Sequence, residues 1–315
     1  MADRKLKTVT RTQGNNQALK DGTVRPDSFT FDFEDVPVLV DGFRRMVRGL
    51  EFDVCEMALT TYLCARSHGK RFTALPIFLV RGFHHGAILV NRNAGIRTPK
   101  DLEGRRLGVN RGYTVTTGVW ARGVLQREHG VDLDQITWVL SGDEHVAEYR
   151  PPANVVPLEP GRKMEEVVAA GELDGVINLQ IEHPDVVPLI GDAQEAGYRA
   201  LRERGHYPAN HLVVVRDELL EREPNLAAEI FEAFAESKRR YVRQLQAGGI
   251  EKPTAVDRMH QRVMEITGSD PLPYGIDPNR AMLEELMGHA IAQKIIQQPL
   301  RIEDVFAPAT HKLRG

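Results

Sequence analysis

His84 and His85 stand side by side in the stretch RGFHHGAILVN, with Arg81 just upstream. Histidine is the side chain whose unperturbed pKa lies nearest neutrality. Two imidazoles and a guanidinium beside an apolar run therefore form a candidate acid–base and anion-holding group. The same pair suits a plain turn in which one ring bonds a backbone group. Glu56 ends FDVCE and opens a helical run. A carboxylate there suits a base, a partner that orients a histidine, or a helix cap favoured by the dipole. His211 heads the apolar run HLVVVRDE after YPAN. Tyr113, Thr114 and Thr116 lie in RGYTVTTG, where a helix begins. A helix N-terminus is a ready anion seat, Thr114 or Thr116 can cap it, and Tyr113 can stack on a ring or bond it. Arg11 and Arg81 are cations at strand ends, and Asn178 in INLQ can bond a hydroxyl. Together these residue types suit proton transfer on a small anionic ligand.

The elements that must position them alternate. LKTVT reads as a strand. Phe43, Met46, Val47 and Leu50 fall at helical spacing after Pro37. FDVCE is a short buried strand that runs into the helix ALTTYLCARSHG, stopped by Gly69. ALPIFLV and GAILVN read as consecutive strands around the His84–His85 turn. The strand Arg106 to Val109 precedes a helix with Trp120, Ala121, Val124 and Leu125 on its inner stripe, ending near Gly130. ITWVL, the strand after AAGELDG, and HLVVVRDE follow, with the proline-rich loop YRPPANVVPLEPG between them. Pro224 opens a long helix and Asp277-Pro278 opens the last one. Strands alternating with helices imply an α/β protein with mostly parallel sheets covered on both faces. In such sheets ligands bind beyond the carboxyl ends of the strands, which selects the residues named above.

The 315 residues suffice for two domains and a large core. Hydrophobic residues make up 42%, charged residues 27%, and the net charge of −3 shows no basic excess, so nucleic acid is not an expected partner. No apolar stretch has the length of a membrane span, and MADRKLKTVTRTQG lacks a secretory apolar core, so a cytoplasmic protein is expected with no membrane partner. The two cysteines, Cys55 and Cys64, read as buried small hydrophobes. No dinucleotide fingerprint, P-loop or Gly-x-Ser-x-Gly elbow occurs, and no cofactor is expected. Glu182 and His183, taken with Glu56, His84 and His85, make a carboxylate–imidazole site for a divalent ion imaginable, without any strong ligand spacing.

GIRTPKDLEGRRLGV resembles the opening of the second lobe in the type II periplasmic-binding-protein fold, and AAGELDGVI resembles a further element of it. FDVCEMALTTYL, TTGVWARGVLQREHGV, YPANHLVVVRDEL and SDPLPYGIDPNRAMLEEL with EDVFAPAT narrow the match. Over Val36 to Thr310 the chain resembles the 4,5-dihydroxyphthalate decarboxylase family. The resemblance implies two α/β lobes around a central cleft: residues 1–90 and 206–315 for the first lobe with the C-terminal helices, and 91–205 for the second. Crossing twice between lobes permits hinge closure. The C-terminal helices complete the first lobe or make a homo-oligomer contact, and both readings stay open.

The implied activity is removal of one carboxylate from a hydroxylated aromatic dicarboxylate, giving protocatechuate and carbon dioxide in the named family. A small aromatic carboxylate is then the partner. His85 matches the histidine of the family turn and is the expected ring-protonating acid, with His84 in the place of an arginine and His211 in a pocket role. Two departures bear on the substrate: the turn reads Gly82-Phe83-His84-His85-Gly86, and a strand ends Asn178-Leu179-Gln180, both where the family carries a cation. Two rival readings are a non-enzymatic solute-binding protein and another enzyme on this scaffold acting on a heteroaromatic acid.

Overall fold

The computed structural model describes residues 4–315; Met1 to Asp3, the first residues of the expected first lobe, lie outside the described residues. Eleven strands occur in chain order: β1 (Lys5–Val9), β2 (Thr30–Phe33), β3 (Val54–Ala58), β4 (Phe72–Arg81), β5 (Ile88–Asn91), β6 (Arg106–Val109), β7 (Thr137–Leu140), β8 (Val155–Pro157), β9 (Gly175–Ile177), β10 (Val186–Pro188) and β11 (Ala209–Arg216) among the described residues. The α-helices are α1 (Gln17–Lys20), α2 (Leu39–Gly49), α3 (Leu59–Ser67), α4 (Thr116–His129), α5 (Met164–Ala169), α6 (Ala193–Arg204), α7 (Asp217–Arg222), α8 (Leu226–Gln246), α9 (Ala255–Thr267) and α10 (Arg280–Ala292).

The chain divides into two compact units. One comprises Met1–Arg81, Ala209–Glu285 and Leu300–Gly315; the other comprises Gly82–Pro208 and Leu286–Pro299. The first break lies between Arg81 and Gly82, ahead of the His84–His85 turn, so that turn belongs to the second unit. ALPIFLV and GAILVN accordingly fall in different sheets.

The first unit holds a sheet of order β2-β1-β3-β11-β4. Strand β3 is buried along its whole length, Glu56 included, because β1 and β11 flank it. Leu75, Ile77 and Leu79 of β4 pack with Ile230, Phe231 and Phe234 of α8 in one apolar cluster. Phe43, Met46 and Val47 bury the expected face of α2, whereas Leu50 turns left-handed (φ 50°) and ends the helix. Helix α3 is buried on every side from Leu59 to Ala65, as expected of a helix with little amphipathic character.

The second unit holds a sheet of order β10-β5-β9-β6-β7-β8, with Val139, Met164, Val167, Val168 and Val176 in its core. Helix α4 ends at Gly130 in the left-handed region, as its sequence predicts. The sheets are mixed and mostly parallel. Strand β11 runs antiparallel to β3 and β4, and β5 runs antiparallel to β9 and β10. Strand β11 returns after the whole excursion 82–208, so no β-helix-β crossover fixes its direction.

Candidate functional site

The residues selected from strand ends gather into two groups, one in each unit. In the first unit, Glu56 and His211 sit on the neighbouring antiparallel strands β3 and β11. Glu56 pairs in register with Val213 and Ala58 with His211, so the two side chains are diagonal neighbours on one face. His211 Nδ1 lies 2.6 Å from Glu56 Oε1. The other carboxylate oxygen accepts the Arg11 backbone N–H at 2.8 Å. A buried carboxylate is costly unless hydrogen-bonded, and Glu56, with no exposure, is bonded at both oxygens. Lys20 adds a positive charge within electrostatic reach. Its Nζ donates to the Thr10 carbonyl at 2.6 Å, and burial lowers its pKa against the opposing pull of Glu56 and Asp35.

A carboxylate against Nδ1 requires the proton there, so it fixes both tautomer and ring orientation. The His211 ring lies edge-on to Phe43 at 5.2 Å between centroids and keeps 16% exposure. Its Nε2 makes no hydrogen bond among the described residues. Glu56 is therefore placed to orient a histidine rather than to act as a free base. Arg81 ends β4 in the same sheet, where it pairs in register with Ala209. Its side chain is buried, donates to Asn279 Oδ1 and lies 5.4 Å above the Phe78 ring. Arg11 itself is exposed.

In the second unit, His85 is also paired with a carboxylate, in the opposite sense. Its Nε2 is 3.1 Å from both oxygens of Glu128 on α4. Arg204 of α6 donates to the same carboxylate at 2.6 Å. Burial opposes ionisation of Glu128, but the hydrogen bonds and charges of His85 and Arg204 outweigh it and bring its pKa to about 2. The His85 side chain is only 1% exposed, and its Nδ1 is enclosed without a partner among the described residues. A proton on Nε2 thus faces Glu128. That arrangement does not support His85 as the ring-protonating acid.

His84 is buried and stacked near Trp120, with centroids 6.3 Å apart, and His206 stands edge-on to the same indole. The turn is pinned by Phe83, which packs on Tyr198 and Tyr207. Gly197 makes room for it, since a Cβ there would come within 2.5 Å of the Phe83 ring.

Tyr113, Thr114 and Thr116 are all buried at the start of α4. The N-cap position belongs to Val115, and the Thr114 hydroxyl instead donates to Glu144 at 2.7 Å. Asn178 is left-handed (φ 63°), a conformation asparagine tolerates, with its N–H on the Ala87 carbonyl at 2.8 Å and its own carbonyl on Asn110 Nδ2 at 2.9 Å. Among the described residues no three His, Cys, Asp or Glu side chains form a group able to hold a metal, so the set built on Glu182 and His183 is not assembled. No helix among them is long and apolar enough to cross a membrane.

Sequence reasoning missed Glu128, Arg204, Glu144 and Asn279. Glu128 lies in the polar stretch QREH at the end of α4, which reads as a solvated face, and Glu144 lies in a loop. No local spacing links either to its partner.

Against solved structures, the chain resembles the aliphatic sulphonate binding protein SsuA of Escherichia coli, with a TM-score of 0.54 and 10% identity, covering 99% of this chain and 100% of that one. It also resembles the Candida albicans CA3427 gene product, described as having the generic periplasmic binding protein fold, with a TM-score of 0.51 and 11% identity over 100% and 99% of the two chains. The protein thus has the periplasmic-binding-protein fold, as the sequence implied. No family model matches the chain. Two curated relatives do: a 4,5-dihydroxyphthalate decarboxylase of Pseudomonas putida, 34% identical over 177 residues (50% of this chain, 68% of the relative), and one of Comamonas testosteroni, 29% identical over 284 residues (85% and 86%). The chain belongs to the 4,5-dihydroxyphthalate decarboxylase family, whose named reaction is that of a carboxy-lyase.

Proposed function

We propose that the protein removes one carboxylate from a hydroxylated aromatic dicarboxylate of the 4,5-dihydroxyphthalate kind without an organic cofactor, and that His211 delivers the proton. The observation that carries this is the Glu56–His211 pair in a chain of this family. One nitrogen of the imidazole is fixed by a buried carboxylate and the other is left for a ligand.

The chemistry needs few groups. A hydroxyl para to the leaving carboxylate supplies electron density to the carbon that bears it. His211, protonated at Nε2 as well as at the Glu56-bound Nδ1, gives its Nε2 proton to that carbon and is reprotonated from solvent. The carbon–carbon bond then breaks, its electron pair restores the aromatic ring, and carbon dioxide leaves. Loss of the hydroxyl proton and its later return cancel, so one proton is consumed per carbon dioxide released. A positioned acid contributes roughly a hundred- to ten-thousand-fold. Only groups that stabilise the transition state more than the bound substrate accelerate the step, so the retained carboxylate needs polar donors more than the departing one.

The test is incubation of the pure protein with a panel of aromatic dicarboxylates, with and without chelator, following carbon dioxide and ring products. Release from a hydroxylated member, unchanged by exhaustive chelation, is expected. Tight binding of a member without release would replace this reading with a solute-binding one.

A further inference from the structure

The start of α4 already holds a carboxylate, and it belongs to the protein. Glu144 Oε1 accepts the Tyr113 backbone N–H at 2.5 Å. Its Oε2 accepts the Thr114 backbone N–H at 3.2 Å and the Thr114 hydroxyl at 2.7 Å. The backbone is shaped to admit it. A Cβ on Gly112 would lie 2.8 Å from Oε2 and 3.1 Å from the Asp143 carbonyl, so a side chain there would push on the carboxylate where it now sits.

Behind the seat lies a buried cation. Arg122 of α4 has no exposure, and its guanidinium sits 3.8 Å from the Tyr113 ring centroid. Its Nη2 donates to the Tyr113 carbonyl at 2.6 Å and its Nε to Gln293 Oε1 at 2.8 Å. Its Nη1 has no hydrogen-bond partner among the described residues and points at the first turn of α4, where a Cβ on Gly118 would be 3.2 Å away. No carboxylate touches this guanidinium, and Glu144 is the one carboxylate, beside the phenols of Tyr113 and Tyr149, among the groups acting on its charge. Glu144 thus supplies negative charge to a buried cation that has no carboxylate in contact with it.

We infer that Glu144 is a resident ligand of this seat and that a carboxylate of the incoming aromatic acid displaces it. This deepens the proposed function and rests on its reading of the ligand as an aromatic carboxylate. The exchange conserves charge: one carboxylate leaves two N–H groups and a hydroxyl, and another takes them. Glu144 lies in the irregular segment between β7 and β8, so its departure breaks no helix or strand. An internal competitor lowers the apparent affinity of every external carboxylate by the fraction of time it holds the seat.

The experiment uses binding of phthalate and benzoate, which lack the activating hydroxyl, to wild type, Glu144→Ala and Glu144→Gln by calorimetry. Glu144→Ala is expected to bind phthalate about tenfold tighter or more. Adding Thr114→Val to that variant is expected to remove the gain. Equal or weaker binding by a Glu144→Ala protein with wild-type circular dichroism overturns the inference. Should that variant not fold, Glu144→Gln, which keeps the side-chain length, is expected to bind several-fold tighter, and unchanged affinity overturns the inference instead. Tighter binding with no carbon dioxide released from any panel member would leave the displacement standing and remove the decarboxylase reading. Release by the wild type with unaltered binding in the variants would do the reverse.

Discussion

Two histidine–carboxylate pairs, one in each unit, use the same residue types for different ends. Glu56 approaches Nδ1 of His211 from within a buried strand and leaves Nε2 open. Glu128 approaches Nε2 of His85 from the end of a helix, shares its carboxylate with Arg204, and leaves only an enclosed Nδ1. The first geometry can pass a proton to a ligand. In the second, Nε2 is taken up by the Glu128 carboxylate, which ties the turn to α4 and α6. The proposed assignment of His211 to the reaction rests on which ring nitrogen meets the carboxylate and where the other one points, not on two histidines in a row.

Breaking the first pair should act on rate. His211→Gln is expected to lower the rate of carbon dioxide release roughly a hundred- to ten-thousand-fold, with an unchanged circular dichroism spectrum. Breaking the second should act on stability. His85→Ala leaves the Glu128 carboxylate with Arg204 alone and opens a hole in the turn, for an expected loss of about 2–4 kcal/mol in denaturant unfolding. Its rate per folded molecule should stay within a few-fold of wild type.

The smallest effect is a pH dependence. The Glu128 carboxyl titrates at about 2 when folded, against an ordinary value of 4.5. The folded value is the lower one, so its contribution to stability is whole above pH 4.5 and is lost as the pH falls through about 2. Its carboxylate is partly open to solvent, and screening reduces the effect to the order of 1–2 kcal/mol. Denaturation midpoints measured across that window should fall in wild type and flatten in Glu128→Gln. An equal slope in both proteins would mean that the pair contributes nothing.

Much of the scaffold was legible in the chain. The apolar face of α2, the buried strand of Glu56 and the glycine stop of α4 follow from local period and caps. The expectation that ligand groups sit at strand ends selected Arg11, Glu56, Arg81 and His211, which the structure places two residues beyond β1, in the middle of β3, at the end of β4 and near the start of β11 of one sheet. The partners were not legible. Glu56 and His211 are 155 residues apart, and His85 and Glu128 are 43 apart. No periodicity carries information across such distances. The direction of β11 was equally hidden, because an alternating pattern reports strand and helix but not which way a returning strand runs. Thr114 illustrates the same limit: a threonine before a helix suggests a cap, while the structure gives its hydroxyl to a carboxylate from a distant loop.

The most direct measurement is single-turnover release of carbon dioxide from 4,5-dihydroxyphthalate by His211→Gln and His85→Ala, side by side, with each rate normalised to folded protein. The His211 variant is expected to be slower than the His85 variant by at least about a hundredfold. Near-normal release by His211→Gln, with the loss falling on His85→Ala, would contradict it.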